Sequence, residues 1–373
     1  MHPSEPVYVT KPFLPPREAY ERYLPGIWER QYLTNQGPLA LEFERGLSSY
    51  LNVAHLRWVA NGTMALQLAL RALEVKGEVV TTPFTHIATT SAIVAEGCTP
   101  RYADVDAVTF NLDPAQVEAA ITSQTRAIVA THVFGNPCDI VALEAIARRR
   151  GIKLIFDAAH CFGVQWQGRS VLECGDASIL SLHATKLFHS TEGGAVVLRD
   201  EAAAKRVDQH RNFGMEQGDL TELIGVNGKN SELHAAMGLA NLPFADEILE
   251  RRRQQHVRYT SLLEDAKGLQ FQGLSIQSGY NHAYFPVLLP SEAAVETLLS
   301  RLAKQFIYPR RYFSPSLSEQ YPQYNAHPCP ISEDLAHRIV CLPLYHTMEE
   351  AVQVAIVEEM REMLSNWTSA QVA

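Results

Sequence analysis

Lys186 ends the segment Ser181-Leu-His-Ala-Thr-Lys186, a small polar turn between two apolar runs. These runs, Ile179–Leu182 and Ala195–Leu198, read as buried strands, so the turn is held near the protein interior. Burial makes an ammonium group costly and lowers the pKa of the lysine, which allows its amine to act as a nucleophile. The segment predicts a lysine that bonds to an aldehyde; a solvated surface lysine is the alternative.

Two other segments could supply a carboxylate and an anion site. The run Lys153–Phe156 predicts a strand followed by Asp157, whose carboxylate can face a protonated ring nitrogen or cap a helix. The run Leu56–Ala60 predicts a strand that leads through Asn61-Gly62-Thr63 into a helix, whose first N–H groups can bind phosphate. Together these groups predict a cofactor that carries an aldehyde, a ring nitrogen and a phosphate.

The elements that must position these residues are strands that alternate with helices between about residues 55 and 200. This alternation predicts an α/β fold with a mostly parallel, seven-stranded central sheet covered on both faces. Ligands bind at the carboxyl ends of such strands, so we expect Asn61, Phe84, Asp157 and Ser181 to converge on one pocket. The predicted strands are Leu56–Ala60, Glu78–Thr82, Arg101–Val105, Ala127–Thr131, Lys153–Phe156, Ala177–Leu182 and Ala195–Leu198.

The chain of 373 residues is long enough for two domains. We expect a large cofactor-binding domain at residues 1–250 and a small α+β domain at residues 251–373. Glu18–Arg30 predicts a helix before the sheet, and Phe244–Asp265 predicts a long helix that links the domains. The elements predicted for the small domain are the strands Ala283–Leu289 and Arg338–Pro343 and the helices Ala293–Ala303 and Met348–Asn366.

Composition and charge exclude several classes of protein. The apolar and charged fractions of 46% and 20% are typical of a globular chain, and the net charge of −9 argues against nucleic-acid binding. No apolar run reaches the length of a membrane helix, and Met1–Pro6 lacks the pattern of a signal peptide. The six cysteines form no C-x-x-C pair and no metal-ligand spacing occurs, so we expect a cytoplasmic protein with free thiols and no metal.

The motifs resemble those of the DegT/StrS-type nucleotide-sugar aminotransferases. The resemblance implies fold type I, the aspartate aminotransferase-like fold, with pyridoxal 5′-phosphate (PLP) as cofactor and pyridoxamine 5′-phosphate as its aminated form. The segments that carry it are Thr34–Pro38, Asn61–Thr63, Val80–Thr89, Phe134–Pro137, Asp157–His160, Ser181–Lys186, Glu192–Gly194 and Asn227–Glu232.

The resemblance implies a role for each matching residue of the cofactor site. Lys186 would bond to the PLP aldehyde and move a proton during amino transfer, and Asp157 would contact the pyridine nitrogen. Gly62 and Thr63 would donate backbone N–H groups to the phosphate. Ser181 would add its hydroxyl to the phosphate, unless that hydroxyl serves the backbone at the strand end.

Further residues are implied less directly. Asn227 would reach the phosphate from the neighbouring subunit of a homodimer with shared active sites, unless it only forms a turn. His86 stands where the family commonly has an aromatic residue stacked on the pyridine ring. We expect His86 to stack there as a neutral imidazole. The alternative is a loop histidine that makes ordinary hydrogen bonds. His160 would approach the cofactor's 3′ oxygen, and His183 would face the substrate.

A basic and aromatic cluster could bind a nucleotide diphosphate. It consists of Tyr308, Arg310, Arg311 and Tyr312, and the alternative is that the arginines are solvated on a loop. Lys229 stands where the family often has arginine and could also contact the nucleotide.

The predicted function is transfer of an amino group from L-glutamate to a dTDP-linked keto sugar. Several segments resemble the family members that aminate C-4 of dTDP-4-keto-6-deoxy-D-glucose, giving dTDP-4-amino-4,6-dideoxy-D-glucose (dTDP-viosamine), used in bacterial surface polysaccharide such as O-antigen lipopolysaccharide. The alternatives are C-3 amination of a dTDP-3-keto-6-deoxyhexose, a non-catalytic PLP-binding regulatory homologue, and a dehydratase, which Lys186 disfavours. The segments are Val9–Pro16, Tyr32–Pro38, Asn111–Pro114, Phe134–Asp139 and Val226–Lys229.

Overall fold

The computed structural model describes residues 5–216, 218–276 and 279–372. The strands in these ranges are β1 (Val7–Tyr8), β2 (Leu56–Val59), β3 (Glu78–Thr81), β4 (Thr99–Tyr102), β5 (Thr125–Thr131), β6 (Lys153–Asp157), β7 (Gln165–Trp166), β8 (Arg169–Ser170), β9 (Ala177–Ser181), β10 (Gly194–Leu198), β11 (Met215–Glu216), β12 (Asp219–Leu220), β13 (Gln270–Phe271), β14 (Phe285–Leu288), β15 (Ile307–Tyr308) and β16 (Ile339–Leu342). The α-helices are α1 (Arg17–Glu21), α2 (Leu24–Arg30), α3 (Pro38–Leu51), α4 (Gly62–Ala72), α5 (Ile87–Ala95), α6 (Pro114–Ala120), α7 (Ile140–Arg150), α8 (Glu201–His210), α9 (Glu232–Asn241), α10 (Ala245–Leu263), α11 (Glu292–Ala303), α12 (Leu317–Gln320), α13 (Pro330–Arg338) and α14 (Glu350–Val372).

The central sheet has seven strands in the order β2-β10-β9-β6-β5-β3-β4. Strand β10 runs antiparallel to both of its neighbours, and the other neighbouring pairs are parallel. All seven predicted runs are strands of this sheet, so the predicted α/β fold with a mostly parallel seven-stranded sheet is confirmed.

Helices cover both faces of the sheet. One apolar core packs the sheet against α3, α6, α7 and α9, and a second core packs it against α4, α5 and α8. Because both faces are buried, the strands are apolar on both sides, as in parallel sheets of α/β proteins. The sheet is therefore a rigid platform whose strand ends can hold functional groups in fixed positions.

The second half of the chain builds a smaller antiparallel sheet in the order β13-β14-β16. Helices α10, α11 and α14 enclose the apolar core of this part. The N-terminal strand β1 pairs with β15, so the start of the chain joins this smaller unit. The proposed division between residues 250 and 251 falls inside α10, and the domain bounds stay a prediction.

One predicted helix is divided in the structure. The segment Glu18–Arg30 forms α1 and α2 instead of a single helix, and Pro25 lies in the first turn of α2. Proline fits a helix start but removes a hydrogen bond inside a helix, which explains the break before it. No helix in the described ranges is long and apolar enough to cross a membrane.

Candidate active site

A cavity of about 380 Å³ lies at the carboxyl ends of β2, β5, β6 and β9, beside the starts of α4 and α5. Ten of the predicted residues line it, whereas Phe84 is fully buried in an aromatic cluster and does not. The predicted residues in the cavity wall are Asn61, Gly62, Thr63, His86, Asp157, His160, Ser181, His183, Lys186 and Tyr312. The other residues of the wall are Leu66, Thr85, Ala88, Thr89, Thr131, Ala159, Ile179, Thr185, Glu192, Tyr284 and Phe313.

The start of α4 forms one end of the cavity. Asn61 caps this helix, because its side-chain oxygen accepts a hydrogen bond from Met64 N–H at 2.8 Å. The N–H groups of Gly62 and Thr63 belong to the first turn, where a helix offers no internal acceptor. A Cβ at Gly62 would lie 3.0 Å from Cβ of Ser181, so glycine lets the turn and the end of β9 approach closely without displacing either. This arrangement can bind an anion such as a phosphate.

Lys186 lies in the loop that connects β9 to β10. The loop folds back on itself through hydrogen bonds from Lys186 N–H to the His183 carbonyl at 2.8 Å and from Ala184 N–H to the Thr191 carbonyl at 2.8 Å. Burial lowers the pKa of Lys186 to about 8, although the negative charge of Asp157 acts in the opposite direction. An amine with this pKa is neutral in a substantial fraction of molecules near neutral pH and can act as a nucleophile.

Asp157 ends β6 and is 8% exposed. Its Oδ2 accepts a hydrogen bond from the Thr89 hydroxyl at 2.7 Å, and its Oδ1 accepts one from Ala159 N–H at 3.1 Å. The bond to Ala159 forms a turn after the strand, and no described helix begins there. The carboxylate is therefore fixed on the cavity wall and not in a helix cap.

Three histidines surround the cavity. His86 caps α5 by accepting a hydrogen bond on Nδ1 from Ala88 N–H at 3.2 Å, and burial, together with the charge of Lys186, lowers its pKa. Burial lowers the pKa of His160 well below its ordinary value, and its Nδ1 has no hydrogen-bond partner among the described residues. The Nδ1 of His183 accepts a hydrogen bond from Thr185 N–H at 3.1 Å. We therefore expect His86 and His160 to be neutral.

A second cavity of about 430 Å³, called the outer cavity below, shares Thr85, His86, Tyr312 and Phe313 with the first one, called the inner cavity. Its wall also contains Arg310 and Arg311 and the segment Ser314–Tyr321 contributes further residues. Two adjacent cavities with a shared wall can hold a ligand that has two parts.

The residues of the basic and aromatic cluster predicted from the sequence have different surroundings in the structure. Tyr308 stacks on Tyr8 with ring centroids 5.5 Å apart and lines neither cavity. Arg311 donates to Glu292 Oε1 at 2.7 Å and to two backbone carbonyls. Arg310 is exposed and lies over the ring of Tyr312, with 5.6 Å between its guanidinium carbon and the ring centroid. Of this cluster, Arg310 is the cation in the wall of the outer cavity that has no carboxylate partner among the described residues.

Asn227 and Lys229 line neither cavity of their own chain. Asn227 is exposed on the loop between β12 and α9, and the Lys229 ammonium group donates to Asn212 Oδ1 at 2.9 Å and lies over the ring of Phe213. Their predicted roles, and those of the other site residues, stay predictions.

The sequence analysis missed several residues of the cavity wall. Thr85, Thr89 and Thr131 lie within reach of Asp157 or of one another, and Tyr284 and Phe313 also line the cavity. The threonines stand after predicted strands or within the resemblance segment Val80–Thr89, so their positions gave a weak signal. The two aromatic residues come from the second half of the chain, and only the tertiary structure brings them to the site.

The residues present fit PLP. The crowded Gly62 turn leaves a helix start for a phosphate, Asp157 offers a carboxylate to a ring nitrogen, and Lys186 offers an amine for an aldehyde. The partnerless Nδ1 of His160 is a buried polar atom at the cavity wall that a ligand oxygen can satisfy. These four features match the four polar groups of the cofactor.

The chain is similar in sequence and in structure to known aminotransferases. The sequence profile of the DegT/DnrJ/EryC1/StrS aminotransferase family matches residues 17–361. The dTDP-4-amino-4,6-dideoxy-D-glucose transaminase of Shigella dysenteriae is 38% identical over 365 residues, covering 96% of this chain and all of the relative, and the Escherichia coli protein of that name is 34% identical over 94% of this chain and 96% of its own length. The structure of DesI in the presence of its TDP-sugar product superposes with a TM-score of 0.92 and 33% identity, covering 100% of this chain and 97% of DesI.

Proposed function

Because the chain belongs to the DegT/DnrJ/EryC1/StrS family of PLP-dependent sugar aminotransferases, we propose that it transfers the amino group of L-glutamate to C-4 of a dTDP-4-keto-6-deoxyhexose. The product is dTDP-4-amino-4,6-dideoxy-D-glucose. The observation that carries the reaction type is the single cavity that holds Lys186, Asp157 and the start of α4. The sugar and the position of amination rest on the two near full-length relatives of that name.

Each group of the cavity has a task in this reaction. When bound, PLP supplies a ring that accepts the electrons of a broken C–H bond. The neutral amine of Lys186 would move the proton between the amino-bearing carbon of the substrate and C4′ of PLP. Asp157 would hold the ring nitrogen, and the N–H groups of Gly62 and Thr63 with the Ser181 hydroxyl would hold the phosphate.

The outer cavity suits the nucleotide part of the substrate. The sugar reaches Lys186 through the inner cavity, while the diphosphate lies outside it beside Arg310. His86 and Tyr312 stand on the wall shared by the two cavities and separate the two parts. A guanidinium group without a carboxylate partner is the group that recognises a diphosphate.

The active sites of the proposed enzyme are shared in a homodimer. Asn227 and Lys229 lie outside the cavities of their own chain, and the nearby chain segment exposes Leu220 and Ile224 at 76% and 87%. Leu220 ends β12 and Ile224 lies in the loop that follows it, and large apolar side chains at such exposure favour a protein contact. In the dimer, Asn227 of one subunit reaches the cofactor phosphate of the other. A cytoplasmic location suits the nucleotide-linked substrate and the six free cysteine thiols.

The experiment is incubation of the PLP-loaded protein with L-glutamate and dTDP-4-keto-6-deoxy-D-glucose, followed by NMR of the product. We expect one amine, on C-4. Matched incubations contain the dTDP-3-keto isomer and a GDP-linked 4-keto sugar. Turnover of the 3-keto isomer alone would favour C-3 amination. Turnover of the GDP-linked sugar alone would exclude dTDP as the nucleotide of the substrate. PLP binding without conversion of glutamate to 2-oxoglutarate would favour a regulatory homologue.

A further inference from the structure

A chain of three buried threonine hydroxyls ends on the carboxylate of Asp157. Thr89 Oγ1 lies 2.7 Å from Asp157 Oδ2, Thr85 Oγ1 lies 3.1 Å from Thr89 Oγ1, and Thr131 Oγ1 lies 3.0 Å from Thr85 Oγ1. All three threonines are at most 4% exposed, so water does not compete strongly for these bonds. All three also line the inner cavity.

The carboxylate sets the direction of every bond in this chain. A carboxylate only accepts hydrogen bonds, and a hydroxyl has one proton to donate. The Thr89 hydroxyl therefore donates to Asp157, the Thr85 hydroxyl donates to Thr89, and the Thr131 hydroxyl donates to Thr85. Aligned bonds of this kind polarise one another, so the last bond to the carboxylate is strengthened.

The two ends of the chain are anchored on neighbouring strands. Thr131 and Asp157 are register partners at the ends of β5 and β6, and Thr89 reaches them from the first turn of α5. The threonine chain thus ties the carboxylate to two strands and one helix, while Ala159 N–H holds its other oxygen. Rotation of the carboxylate would break bonds on both sides.

We propose that Thr89, aligned by Thr85 and Thr131, is a positioning residue that orients the Asp157 carboxylate toward the ring nitrogen of PLP. The inference rests on the proposed role of Asp157. A hydroxyl that acts through Asp157 affects only ligands that have a ring nitrogen. A hydroxyl that merely stabilises the fold affects every ligand of the cavity to the same extent.

The test compares the binding of two ligands to the apoprotein: PLP, and its analogue in which a C–H group replaces the ring nitrogen. Thr89→Val removes the hydroxyl and keeps the shape of the side chain, and Thr89→Ser keeps the hydroxyl. Thr90→Val is the matched control, because Thr90 is equally buried on the same helix but bonds to the Tyr102 hydroxyl at 2.9 Å. Asp157→Asn tests the carboxylate itself. Thr89→Ala replaces Thr89→Val if the valine variant does not fold.

We expect Thr89→Val to weaken PLP binding by about tenfold, the effect of losing one hydrogen bond to a charged group, and to leave binding of the analogue unchanged. Thr89→Ser should restore PLP binding, and Thr90→Val should affect neither ligand. Equal weakening of both ligands by Thr89→Val, or failure of serine to restore PLP binding, would overturn the inference. If Asp157→Asn does not discriminate between the ligands, the role of Asp157 in the proposed function fails; if Asp157→Asn discriminates and Thr89→Val does not, only the role of Thr89 fails.

Discussion

Arg310 and Arg311 are neighbours in the chain but have opposite electrostatic surroundings. The Arg311 guanidinium group donates to the carboxylate of Glu292 at 2.7 Å, whereas that of Arg310 lies over the ring of Tyr312 without a carboxylate partner among the described residues. The charge of Arg311 is thus neutralised by Glu292, and the guanidinium group of Arg310 can bind a ligand in the outer cavity.

Arg310→Gln should raise the KM for the nucleotide sugar by about tenfold or more, because a hydrogen bond from a charged group to the diphosphate is lost. The half-reaction with glutamate should not change, since glutamate carries no diphosphate. Arg311→Gln is the comparison, and it should lower the melting temperature instead, because Glu292 and two carbonyl groups lose their donor. Steady-state kinetics and thermal unfolding of both variants check this; a larger KM effect for Arg311→Gln would contradict the assignment.

The rate at which the apoprotein captures PLP covalently should rise with pH and level off above about 8. The reason is that only the neutral amine of Lys186 reacts, and burial lowers its pKa to about 8. Trapping with borohydride at a series of pH values, followed by peptide mass analysis, measures this rate. Asp157→Asn should move the midpoint to lower pH, because the charge of Asp157 raises the pKa of Lys186. A midpoint close to the ordinary lysine value of 10.5 would show that Lys186 is not buried in this way.

Gly62→Ala should weaken PLP binding by about tenfold or more, because the added methyl group would crowd Ser181 and displace the turn that holds the phosphate. The added Cβ would lie 3.0 Å from Cβ and 3.3 Å from Cα of Ser181. Titration of the apoprotein with PLP gives the dissociation constant. Gly46→Ala, in α3, is the control, since its Cβ would meet only the end of the Leu242 side chain. Equal binding by the two variants would exclude a phosphate site at this turn.

The His337 imidazole bridges two carboxylates, and the stability that it adds should depend on pH. Its two nitrogens lie 2.8 Å from Glu319 and 2.7 Å from Glu292, and these hydrogen bonds raise the pKa of His337 above 6.5. A raised folded pKa adds stability that is fully present below the unfolded value and is lost as pH rises through the folded value. His337→Gln should therefore lower the melting temperature at pH about 5.5 and have little effect at pH about 9.

His327→Gln is the control for His337→Gln, because His327 is exposed and its imidazole has one hydrogen-bond partner among the described residues, the Ala119 carbonyl at 3.3 Å. Its effect should not change between the two pH values. A loss of stability in His337→Gln that is the same at both pH values would mean that the imidazole acts through packing and not through its charge.

Much of the central sheet could be predicted from the sequence, because its strands follow from local patterns of apolar and polar residues. Apolar β-rich runs that alternate with helical segments specified all seven strands of the central sheet. Since the residues that follow strand ends in such a sheet share one edge, Asp157, Ser181 and Lys186 could be expected to line one cavity. Local spacing did not reveal which way Phe84 faces, and it packs against Phe313 with ring centroids 5.7 Å apart.

The sequence by itself determined the order of the elements, the family and the identity of the groups at the strand ends, because each depends on residues close together in the chain. Only the tertiary structure decided which of two adjacent arginines is neutralised and which hydroxyl holds Asp157. Thr89 and Asp157 are 68 residues apart, and Arg311 meets Glu292 and the His337 carbonyl from three separate segments. A hydrogen bond of this kind requires both partners at about 3 Å in the correct orientation, and that geometry exists only once the sheet, its helices and the smaller unit have packed together.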